Sequence, residues 1–125
     1  MDLEKLRRAS QEGNERLRKI ILEICDPKQI ADEVMNKLEK NAEKAAKIGK
    51  REASCEYLFW DWIDIPSRGA EEKGPLAGLD NRIHLSPILF EMVEEHITNP
   101  YVEVEFITSR HPHISCDGIM AAVMW

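Results

Sequence analysis

Residues 26–62 constrain this chain most, because within them one helix starts, stops and gives way to a strand. Asp26-Pro27-Lys28-Gln29 reads as a helix start. The Asp26 carboxylate suits the N-cap, Pro27 the first helical position, and Gln29 the return partner of a capping box. Ile30, Val34, Leu38, Ala42 and Ala45 follow at helical spacing, and Gly49 supplies a left-handed stop. Directly after it, residues 53–62 are dense in strand-forming aromatics. Cys55, Tyr57 and Phe59 alternate with Leu58, Trp60 and Trp62, so both faces turn apolar. That pattern predicts a central strand covered on two sides. A capped helix abutting such a strand means an α+β core.

The flanking segments extend this frame. Leu3, Leu6, Leu17, Ile20, Ile21 and Ile24 fit one face of a first helix over residues 2–24, with Ser10 and Gly13 in the middle of its seam. Leu17, Ile20, Ile21 and Ile24 carry its apolar strength and predict a self-association face. The short Cys25-Asp26 corner then leads into a second helix over residues 27–48, as a hairpin or a sharp kink. Residues 63–82 hold two prolines and three glycines and form one long irregular stretch. Ser86-Pro87 restarts a helix as cap and first position, and Asn99-Pro100 ends it. Val102, Val104 and Phe106 alternate with Glu103 and Glu105, a strand with one wet face. A last strand ends at Trp125, and Asp117-Gly118 before it reads as a hairpin turn or the mouth of a longer loop. The expected fold is α+β, with two N-terminal helices followed by a β-α-β-β unit on a small, mainly antiparallel three-stranded sheet. Residues 1–25 form a helix suited to oligomerisation, and residues 26–125 one α+β domain.

The basic helix stop Ile48-Gly-Lys-Arg51, the strand from Ser54 to Trp62, a helix, and a closing strand pair ending Val123-Met-Trp125 together resemble small proteins of tailed phages and other large DNA viruses. The likeness covers residues 30–125 at the level of pattern. It implies a viral or prophage origin and, because those proteins mostly lack an assigned chemistry, no mechanism.

Charge narrows the partners. The chain carries a net −6, and its basic residues lie mostly in the first fifty positions, alternating with acids at helical intervals such as Glu33 with Lys37. An acidic body repels phosphate backbones, which disfavours nucleic-acid binding. Membrane spans and an export signal are not expected, since no apolar run approaches a bilayer's thickness. Three widely spaced cysteines, an odd number, suit reduced thiols in a cytoplasm, the host's if the protein is viral. The expected partners are a second copy of the chain, a host or viral protein, or an anionic small molecule.

Common catalytic signatures are absent: the chain holds no GxGxxG, GxxxxGK[ST], HExxH, GxSxG or CxxC. Two constellations compete with a purely associative role. Arg68, Arg82 and Arg110 lie in or beside loops of the acidic half, and with Trp60 and Trp62 they make a candidate site for an anionic ligand such as a nucleotide. An arginine fork suits phosphate, and a tryptophan stacks on a ring. The alternative for these arginines is ordinary pairing with nearby carboxylates. His111, His113 and Cys116 form the second, a set of zinc-type ligands in six residues with Asp117 following. Its plainer reading is a polar corner with one buried thiol and no cofactor. Asp61 lies between Trp60 and Trp62, the one carboxylate flanked by two tryptophans.

Overall fold

The structure, a computed structural model, describes residues 1–59, 85–110 and 115–125, and the side chains of all of these except residues 109, 110, 115 and 116. Six elements follow in order: α1 (Leu3–Ile24), α2 (Pro27–Lys47), β1 (Glu52–Leu58), α3 (Ser86–Glu94), β2 (Val102–Arg110) and β3 (Ser115–Met124). The expected α+β order is therefore present, with an antiparallel three-stranded sheet in the order β1-β3-β2.

Local chemistry explains the helix ends. The Asp26 carboxylate accepts from the backbone N–H of Lys28 and Gln29, with Pro27 behind it. The Gln29 side chain donates forward to Glu33 instead of closing a capping box. At the far end Gly49 has φ +82°. Lys50 N–H reaches Ala45 O and Gly49 N–H reaches Ala46 O, the paired bonds of a Schellman stop. α3 begins one residue earlier than expected. Leu85 holds the cap position, its carbonyl accepting from Leu89, and Ser86 lies buried in the first turn.

The sheet buries one face. Cys55 pairs with Ala121 and Tyr57 with Ile119, and β2 adds Val104 and Phe106 to the same rows. On that side Cys55, Phe59, Ile119 and Ala121 are buried under α2 and α3, together with Ile30, Ala31, Val34, Leu38, Leu89 and Val93. The opposite face carries Glu52, Ser54, Glu56, Glu103 and Glu105, all exposed, around Met120 and Ala122. Two expectations change here. β1 lies at an edge of the described sheet with β3 at its centre, and among the described residues helices cover one sheet face, not two. Trp60 and Trp62, on which that expectation rested in part, lie outside the described residues, and the outward positions of β1 itself are mostly polar.

Asp117-Gly118 also departs from the turn reading, for both residues sit inside β3. Gly118 pairs with Leu58 on one side and Ile107 on the other. A Cβ there would strike the Tyr57 carbonyl oxygen and lie within 3.0 Å of Leu58 Cα. The glycine is required by close approach of backbones, not by a turn. Two substitutions separate these glycines. Gly118→Ala should lower unfolding stability in urea by about 2–3 kcal/mol through overpacking. Gly49→Ala, with open space around it, should cost only the left-handed strain of about 1 kcal/mol.

Candidate interaction surfaces

α2 does more than cover the core. Along one side, Glu33, Lys37 and Asn41 recur at intervals of four and meet β1 in succession. Tyr57 Oη donates to Glu33 Oε2 at 2.7 Å, Lys37 Nζ to the Glu56 carbonyl at 2.7 Å, and Asn41 Nδ2 to the Ser54 carbonyl at 2.9 Å. Phe59 N–H bonds Asp117 O and Trp125 N–H bonds Arg51 O, so the odd-numbered residues of β1 face β3. The carbonyls of Ser54 and Glu56 therefore lie on the outer edge, and the helix occupies them. Glu33 and Lys37, spaced as a helix pair in the sequence, also take part in an edge closure. Their shared spacing with Asn41 was the signal. Cys55, beneath this row, bonds Val34 O through its thiol, and burial pushes that thiol's pKa up despite nearby Lys37.

α1 divides into two parts. Ile21 is fully buried, and Leu17, Ile20 and Ile24 pack partly against the same core, chiefly on α3 and not as a hairpin along α2. Arg18 ties the two helices. Its Nη2 lies 2.8 Å from Glu95 Oε1 and 3.5 Å from Glu91 Oε2, while Nε donates to Asn14 Oδ1. The Arg18 hydrogen bond holds the Glu95 carboxyl below the usual glutamate value. Glu91 and Glu95, one turn apart, were the legible half of this contact. Before residue 13 every residue of α1 is exposed, including Leu3 at 55% and Leu6 at 51%.

Of the remaining candidate residues, Arg110 and Cys116 have a described backbone position. β1 ends beside Asp117, β2 ends at Arg110, and Cys116 pairs with Ser109, all at one end of the sheet. Trp60, Trp62, Arg68, Arg82, His111 and His113 lie outside the described residues, as does Asp61, and the side chains of Arg110 and Cys116 are not described. Asp117 accepts from Thr108 Oγ1 at 2.7 Å. Among the described residues no group of three or more His, Cys, Asp or Glu side chains is placed to hold a metal. A cleft of about 540 Å³ opens at the opposite end of the sheet, lined in part by Asn41, Ala45, Lys50, Tyr101 and Met124. Cys25 and Cys55 are buried thiols, and no described helix is long and apolar enough to cross a membrane.

Comparison with family models, with curated proteins and with solved structures finds no match to this chain. The likeness to phage and viral proteins therefore remains an expectation from sequence pattern.

The Arg18 contact is testable by pH. A depressed carboxyl contributes stability above its unfolded pKa and loses it as pH falls through the folded value. Both partners are partly exposed, so the contribution is under about 1 kcal/mol. Glu95→Gln should thus be slightly less stable than the parent at pH 7, and the gap should close once the pH is below the glutamate range, as read by urea unfolding.

Proposed function

We propose that this chain acts by self-association through α1, as a binding protein and not a catalyst. The observation that carries the reading is the uneven burial of one continuous helix. α1 has 22 residues, about 33 Å of helix, yet Ile21 is its one fully buried residue. Most helical stability in proteins comes from packing an apolar face. The face that continues Leu17, Ile20 and Ile24 toward the N-terminus carries Leu3 and Leu6, with Ser10 and Gly13 between, and both leucines are more than half exposed. A second copy supplies the same stripe, and the small residues at its middle let two helices approach closely.

Leu17, Ile20 and Ile24 serve the fold and the contact together, so aspartate at these positions would damage both. Leu3 and Leu6 separate the two roles, because neither touches the core. Size-exclusion chromatography with light scattering should find more than one chain per particle at micromolar concentration. The Leu3→Asp, Leu6→Asp variant should lose mass while keeping the parent's circular-dichroism spectrum. A parent protein that runs as a single chain, or a variant that keeps the full mass, removes the reading.

A further inference from the structure

The two edges of the sheet are treated differently, and we infer that β2 pairs with β2 of a second copy, antiparallel about a two-fold axis at Phe106, joining two sheets into one of six strands. This interface is distinct from the α1 contact proposed above and does not depend on it.

The hydrogen-bond phase decides which groups β2 offers. Phe59 bonds Asp117 and Trp125 bonds Arg51, so odd-numbered residues of β3 face β1 and even-numbered ones face β2. β2 pairs Glu103 with Ala122, Glu105 with Met120 and Ile107 with Gly118. Its odd-numbered residues therefore bond β3, and the N–H and C=O groups of Val104, Phe106 and Thr108 point outward. The outward carbonyls of β1 at Ser54 and Glu56 are taken by Asn41 and Lys37. No described element performs that service for β2, which runs nine residues without a proline. A long edge of this kind is a template for another strand.

Chemistry selects a second copy and its register. A two-fold axis at any residue of β2 pairs even with even and odd with odd, and one at the central Phe106 pairs all nine residues, more than an axis at Ile107 or Thr108 does. An axis at Val104 sets Glu103 against Glu105 twice, and an axis at Glu105 sets Glu105 against itself; like charges directly opposed are destabilising. An axis at Phe106 sets Glu105 against Ile107, Val104 against Thr108 and Glu103 against Ser109, with no acids opposed. It also needs outward bonds from Phe106, which the phase above provides.

The aromatic pair beside this edge fits the same occupant. Phe106 meets Phe90 of α3 edge to face, centroids 5.6 Å apart, and both rings are half-buried at the margin of the core. Across the axis two such pairs meet and form one cluster of four rings, covering the apolar surface each copy leaves open. Because every contact is made by the same residues on both sides, the assembly closes at two copies through this surface.

The test uses the Leu3→Asp, Leu6→Asp variant of the full chain, which removes the α1 contact. Light scattering should give the mass of two chains if β2 pairs. Adding Ile107→Glu, which faces Glu105 of the other copy in this register, should reduce the mass to one chain. Adding Glu105→Lys as well should restore two chains, because lysine then opposes the introduced glutamate. Circular dichroism keeps misfolding apart from dissociation. A single chain in the starting variant, or a dimer indifferent to Ile107→Glu, overturns the inference; loss at Ile107→Glu without rescue by Glu105→Lys overturns the register. Failure here leaves the α1 contact standing, since that is read from the mass difference between the parent and Leu3→Asp, Leu6→Asp.

Discussion

The packing of α2 on the inner face of the sheet is the contact on which everything else rests. Ile30, Ala31, Val34 and Leu38 are all buried there, against a floor that includes Cys55, Ile119 and Ala121. Each large aliphatic side chain so placed contributes about 1.5–3 kcal/mol from burial. A bare three-stranded sheet needs such cover to be stable on its own. The same helix fixes its own position twice over. Its apolar stripe sets its depth on the sheet, and Glu33, Lys37 and Asn41 set its position along β1. Closing the β1 edge is a consequence of that second attachment.

From this follows the lopsidedness of the molecule. One sheet face is dry and the other is lined by exposed glutamates. One edge has its carbonyls occupied by side chains, and the other offers its backbone outward. α1 repeats the theme within a single helix, anchored over its C-terminal part by Ile21 and the Arg18 contacts and bare before residue 13.

Much of the architecture was legible because punctuation and periodicity are local. Asp26-Pro27 and Gly49 bound α2 as their chemistry requires, and the Val-Glu alternation of residues 102–106 marked a strand with one wet face. The errors arose where a residue's reason lay across the fold. Gly118 signals a turn in sequence, yet it answers to Tyr57 and Leu58 on a neighbouring strand. Glu33 and Lys37 read as a helix pair, and that spacing alone does not show their bonds to β1. The central position went to β3, which pairs with both β1 and β2, and aromatic density did not mark it. The candidate site was less legible. The ligand and metal sets fall largely on residues 60–84 and 111–116, so the geometry bears on the association surfaces alone.

Hydrogen exchange read by mass spectrometry at two protein concentrations tests self-association most directly. If a second copy holds the first part of α1, amides of residues 5–14 should be protected at high concentration and exchange freely on dilution, while those of α2 and β3 stay protected throughout. Exchange of residues 5–14 that is the same at both concentrations, whether fast or slow, would contradict it.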